Sequence, residues 1–171
     1  MILVRKNKDL KYVVIHHTEQ YDDITGIDLN TIYNREGFFG VPYDIIINQN
    51  GNIDLSPRWV HGLTADSYVL NTRIQNIVNR YKIHHYAGLD LLEYNQKGIH
   101  IGIIGNFNVK LPSPLQYKSL LKVLNEISFR LKLPLNTALL YYSEIFTTSS
   151  PGILFFNKTK FYINNPKTVT I

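Results

Sequence analysis

Cysteine is absent from the 171-residue chain. That excludes disulfides and thiolate metal ligands, and it fits a reducing compartment. No apolar run approaches the ~20 residues needed to cross a bilayer. Met1-Ile2-Leu3-Val4-Arg5-Lys6 lacks a long apolar core and a small-residue cleavage site, so no secretory signal is expected there. Dense arginine or lysine tracts are missing too. The net charge of +5 is spread over scattered lysines, Lys6 and Lys8, Lys110, Lys118 and Lys122, Lys158 and Lys160. Without a nucleic-acid motif, that pattern argues against a nucleic-acid interface; a basic surface can also meet anionic lipid or an anionic cell-wall polymer. Histidine is scarce as well: none of the six follows His100.

What is present is an ordinary globular composition and enough length for one domain with a full core. Val13-Val14-Ile15-His16-His17-Thr18 stands out, an apolar run that ends in two histidines and a hydroxyl. Lys11 to Ile15 reads as a buried strand, and such a strand delivers polar side chains to the rim of a sheet. On their own, paired histidines read equally as one core histidine and one solvated one.

Asp28 to Phe38 is predicted as a helix capped by Asp28, with Leu29, Ile32 and Tyr33 on one face. Tyr43 to Asn48 reads as a strand covered on both faces. Asn50-Gly51 is a hairpin signal, and Asn52 to Leu55 the returning strand. Ile99 to Ile104 is another strand. Ser113, Pro114 and Gln116 form a helix start with a capping box. Leu120, Leu121, Leu124, Ile127 and Leu131 give that helix one buried face, and Pro134 ends it. Thr137 to Tyr142 is predicted as a strand. Leu154-Phe155-Phe156 and Phe161-Tyr162-Ile163 flank polar residues as a terminal hairpin. The expected fold is a single α/β domain over 1–171, a central mixed sheet flanked by helices, with an insertion at about 63–97 and an added hairpin at about 153–171.

Four segments in this order resemble the type 2 N-acetylmuramoyl-L-alanine amidases, a family that includes phage lysozyme-like amidases and the peptidoglycan recognition proteins. They are Val14 to Thr18, Gly40 to Ile47 with Asn50-Gly51, Gly98 to Phe107, and Pro112 to Leu131. The resemblance implies the amidase fold and a zinc ion on two histidines and a cysteine or carboxylate, beside an open position for water and the scissile amide. It implies that His16 is a zinc ligand, that Tyr43 and Thr148 keep catalytic positions, and that His17, Tyr43, Trp59, His61 and Tyr142 line the substrate groove. Trp59 would stack on a sugar or close the core edge, and His61 would line the groove or sit in a surface loop.

The chain departs from the family at the last motif. With Pro151-Gly152 as anchor, Tyr142 stands where the second zinc histidine belongs and Ser150 where the cysteine belongs. Neutral hydroxyls are poor zinc ligands. The expectation is therefore an amidase-like domain, zinc-free and inactive, with no cofactor, that binds peptidoglycan fragments (muropeptides) or a protein partner through the old groove. The alternatives are an active amidase with zinc on substitute ligands among His84, His85 and His100, and a regulatory module whose groove is filled. His100 replaces a small residue of the family strand and is expected to pack, or to hydrogen-bond to His16 or Tyr142. A cytoplasmic or phage- or virus-encoded protein is expected, reaching a wall only by lysis or a dedicated secretion route.

Overall fold

The structure, a computed structural model, describes residues 10–20, 23–36, 40–56, 93–94, 97–158 and 161. Among them lies a five-stranded sheet built from β1 (Tyr12–His17), β2 (Ile45–Ile47), β3 (Ile53–Leu55), β4 (Gly98–Ile103) and β5 (Leu139–Tyr141). The order across the sheet is β3-β2-β4-β1-β5. β1 runs parallel to β4 and β5, β4 parallel to β2, and β3 antiparallel to β2. The mixed sheet flanked by helices is the predicted architecture.

Parallel strands are covered on both faces, which is why these segments read as unbroken Val/Ile runs. Alternation divides their side chains. Val13, Ile15, Ile45, Ile47, Ile99, Ile101 and Ile103 pack in one core with the long helix α2 (Pro114–Leu131). α2 supplies Leu120, Val123, Leu124 and Ile127, all buried. Each such side chain withdrawn from water is worth roughly 1.5–3 kcal/mol before the entropy of ordering is counted. Leu121 and Leu131, expected on that face, are only partly buried. The opposite face is thinner: Leu29 of helix α1 (Gly26–Arg35) packs there with Val41, Tyr43, Ile46 and Ile104.

α1 starts earlier than predicted and ends at Arg35. Thr25, not Asp28, is its N-cap. Asp28 holds the third helical position, where its Oδ2 accepts from the Thr25 N–H at 2.9 Å while Thr25 Oγ1 accepts from the Asp28 N–H at 3.2 Å. These bonds hold the Asp28 carboxyl below its usual pKa. Aspartate suits either position, so only the threonine three residues before it decides the boundary. α1 is tied to the β2–β3 hairpin by the Gly26 N–H, which donates to Asn48 Oδ1 at 2.8 Å.

The hairpin turn falls at the predicted Asn50-Gly51: the Gly51 N–H donates to the Asn48 carbonyl at 2.9 Å. At α2 the capping box is present, and the buried Gln116 also donates from Nε2 to the Ile104 carbonyl at 2.8 Å. α2 therefore begins docked to the end of β4.

Two corrections concern the C-terminal part. The predicted strand from Thr137 is shorter. Leu135–Ala138 is a helical turn, α3, because the Pro134 carbonyl accepts from the Thr137 and Ala138 N–H groups at 3.0 and 2.9 Å. Tyr142–Glu144 leaves β5 as a 3-10 turn. Leu154-Phe155-Phe156 is not a hairpin strand. The Leu154 N–H donates to the Phe107 carbonyl at 2.8 Å, the Tyr141 hydroxyl to the Phe156 carbonyl, and Phe155 and Phe156 pack against the α2-side core. Tyr162 and Ile163 of the predicted hairpin lie outside the described residues. Phe161 is buried in the same core. No described helix is long and apolar enough to cross a membrane.

Candidate functional site

At the carboxyl end of the parallel strands a cleft of about 170 Å³ opens among β1, β4, α1 and the segment after β5. Its described lining includes His16, His17, Thr18, Glu19, Tyr33, Pro42, Tyr43, His100, Tyr142, Thr148 and Ser150. Most of the predicted site residues thus come together. Trp59, His61, His84, His85 and nearly all of the 63–97 insertion lie outside the described residues.

His16 and His17 are consecutive in β1 and so face opposite sides of the sheet. His16 faces the cleft. Its Nε2 lies 2.8 Å from His100 Nδ1, and the two rings stack at 5.1 Å. His100 Nε2 lies 3.1 Å from the Tyr94 carbonyl oxygen. A carbonyl only accepts, so the network assigns the proton on neutral His100 to Nε2. His100 Nδ1 then accepts, and His16 donates from Nε2–H. The second nitrogen of neutral His16, Nδ1, keeps its lone pair. The expected bond between His100 and His16 is present; the Tyr142 ring instead packs on His16, with centroids 4.4 Å apart.

Two glycines make room for this arrangement. A Cβ at Gly102 would lie 2.6 Å from the Tyr43 ring, which crosses the strand there and reaches within 5.4 Å of the His16 ring. A Cβ at Gly98 would lie 2.3 Å from the Tyr94 carbonyl that anchors His100. The His100 main chain is fixed as well: its N–H donates to the buried Asp44 at 2.7 Å.

His17 stands at the edge of the cleft. Its imidazole has no exposed surface, and its Nδ1 accepts from the Phe107 N–H at 3.1 Å. Nε2 therefore carries the proton. It has no hydrogen-bond partner among the described residues and lies 3.4 Å from Glu19 Oε1. Burial lowers the His17 pKa, and Glu19 opposes that shift. A ring so enclosed offers a ligand no surface, so His17 bounds the cleft and orders the chain around it.

Ser150 Oγ accepts from the His17 N–H at 3.1 Å, and Ser150 is buried. Thr148 stands beside it, its Oγ1 accepting from the Ser150 N–H at 3.3 Å. Burial raises the Tyr142 pKa, which keeps the hydroxyl protonated. As a donor set for zinc, His16 with a neutral phenol and a serine hydroxyl fits poorly. Among the described residues no group of three His, Cys, Asp or Glu side chains could hold a metal ion.

Tyr33 and Glu19 were not singled out from the sequence. Burial, with Glu36 and Glu19 nearby, raises the Tyr33 pKa, partly offset by a hydrogen bond with Tyr43. Tyr33 had been read only as part of the buried face of α1. Glu19 directly follows the histidine-threonine signal, but nothing in its type marks it as a lining residue.

Comparison with known proteins fits this geometry. The profile of the N-acetylmuramoyl-L-alanine amidase family matches residues 6–153. No curated protein sequence matches the chain. Among solved structures, the endolysin N-acetylmuramoyl-L-alanine amidase LysCS of Clostridium intestinale superposes with a TM-score of 0.64 at 20% identity, over 92% of this chain and 84% of that one. Drosophila peptidoglycan recognition protein SA gives 0.61 at 23% identity, over 90% and 79%. The ectodomain complex of peptidoglycan recognition proteins LCa and LCx, solved with tracheal cytotoxin bound, gives 0.61 at 18% identity, over 97% and 87%. The chain belongs to the N-acetylmuramoyl-L-alanine amidase family.

Proposed function

We propose that this member of the amidase family binds a peptidoglycan fragment in the cleft over His16 without zinc and without hydrolysing it. One observation carries the reading: with Pro151-Gly152 as the anchor of the last motif, His16 shares its cleft not with further histidine or cysteine ligands but with a half-buried, protonated tyrosine, Tyr142, and with Ser150, whose hydroxyl already accepts a main-chain hydrogen bond.

Without the metal, the residues at hand supply recognition chemistry. Tyr43 and Tyr142 offer aromatic walls to either side of His16. His16 adds an imidazole to the same lining. Thr148 adds a hydroxyl beside Ser150. Tyr43 and Thr148 in this reading are binding residues at positions that serve catalysis in active relatives. The described cleft lining has no lysine or arginine to stabilise a tetrahedral oxyanion, the species that amide hydrolysis most needs to stabilise. Relatives of the same fold are named for peptidoglycan recognition, which supports a binding role.

The test is calorimetric titration of the full chain with a muramyl peptide, followed by product analysis after prolonged incubation. Saturable binding with the peptide recovered intact is the expected result. Release of free L-alanyl peptide would establish hydrolysis and sink the reading. Absence of both heat and turnover would leave the groove with no peptidoglycan role.

A further inference from the structure

The net charge of the chain is +5, and most of it belongs to one stretch. Between Lys110 and Lys132 five basic residues meet a single acidic one, Glu126, so this stretch alone carries +4. The lysines look scattered in sequence, but the pitch of α2 gathers them. Leu115, Lys118, Lys122, Asn125 and Phe129 recur at spacings of three and four, and all five are exposed. That spacing lines them along one face of the helix. The buried Leu120, Leu124 and Ile127 take the opposite face. Glu126, the one carboxylate in the sequence of α2, is held by Arg130 at 2.6 Å, one turn along the helix.

Apolar side chains stand among those charges. Phe129 is 82% exposed and Leu115 55%. The loop leading into α2 adds Val109 and Leu111, both exposed, on either side of Lys110. A lone exposed apolar residue is ordinary, but a phenylalanine in line with lysines combines the two attractions of an interfacial helix. Charge draws the face to an anionic surface, and the ring gains by leaving water for the boundary between headgroups and acyl chains. Lysine stems lie along such a boundary with their ammonium groups among the headgroups. From Leu115 to Phe129 the stripe is about 21 Å long, enough to rest on a surface. α2 is not apolar enough to cross a membrane. A second copy of the same face would set like charge against like, and a purely hydrophilic polyanion would give Phe129 nothing to enter.

We propose that the outward face of α2 docks the protein on an anionic lipid bilayer, with Lys118 and Lys122 at the phosphate headgroups and Phe129 inserted beneath them. α2 covers the sheet face opposite the one that His16 occupies, so a protein docked this way keeps its cleft clear of the bilayer. The docking face acts independently of what the cleft binds.

Co-sedimentation of the full chain with sucrose-loaded vesicles tests it. One set of vesicles is equimolar phosphatidylglycerol and phosphatidylcholine, the other phosphatidylcholine alone. The wild-type chain is expected to bind the anionic vesicles about ten-fold or more tightly than the neutral ones, and more weakly as salt rises. Lys118→Gln with Lys122→Gln should weaken binding to the anionic vesicles by about ten-fold or more. Phe129→Ser should weaken it by about ten-fold. Equal binding to both sets, no binding to either, or binding that the lysine pair leaves unchanged would overturn the proposal. Binding that survives Phe129→Ser in full would make the face a site for any polyanion and would overturn the bilayer as its partner. All three side chains are exposed, so each variant should unfold at the wild-type denaturant midpoint, which separates loss of docking from loss of fold.

Discussion

The two faces of the sheet follow different rules. On the α2 side, β1, β2 and β4 present Val13, Ile15, Ile45, Ile47, Ile99, Ile101 and Ile103 to an apolar helix. On the other side the same strands present His16 and His100, and Gly102 cedes its place to the Tyr43 ring. One face gains stability from burial that needs no directional partner. The other holds polar groups in low dielectric, where each must find a hydrogen bond or destabilise the fold. On the zinc-free reading proposed above, the contrast explains how a chain can keep a family's fold while its cleft residues change. The scaffold depends on the first face, and the second tolerates new partners provided they satisfy one another.

The sharpest way to break the contrast is to restore donors on the cleft side alone. Tyr142→His with Ser150→Cys places two metal ligands in the cleft that His16 lines. Zinc binding should rise from none to one ion per chain, read by metal analysis and lost again with His16→Ala. A folded double variant that stays metal-free would refute the alignment of the last motif.

Stability changes should then separate the faces. Ile101→Ala removes a fully buried side chain from the α2 core and should cost about 2–5 kcal/mol in denaturant unfolding. Gly102→Ala forces a methyl into the Tyr43 ring and should cost about 1–3 kcal/mol while displacing that wall of the cleft. His100→Ala leaves the His16 N–H without its acceptor and should also cost about 1–3 kcal/mol. The smallest change has the opposite sign. Glu19→Gly relieves a left-handed backbone and should stabilise the fold by about 1 kcal/mol, read by denaturant unfolding.

The α2 face was the more legible in the sequence, for a physical reason. Periodicity records burial, so Ile99 to Ile104 and the Leu120-Leu124-Ile127 stripe announced themselves. The family resemblance located His16, Tyr43, Tyr142, Thr148 and Ser150, which the fold does gather around one cleft. Illegible were the features that depend on which groups meet across 80 or more residues. Neither the direction of the His17 ring nor its bond to the Phe107 N–H has a local signal. At the start of α1 the cap lies three positions earlier than predicted, at Thr25 instead of Asp28. Beyond Gly152 the aromatic spacing suggests strands, but Phe155, Phe156 and Phe161 serve as core packing.

Everything said of the cleft turns on whether the wild-type chain retains zinc. Protein purified without chelator and dialysed against metal-free buffer can be measured for metal content by mass spectrometry. Zinc well below one ion per chain, unchanged in His16→Ala, is the expected result. One zinc per chain that disappears in His16→Ala would mean that donors beyond Tyr142 and Ser150 complete the site, and would contradict a cleft built for binding alone.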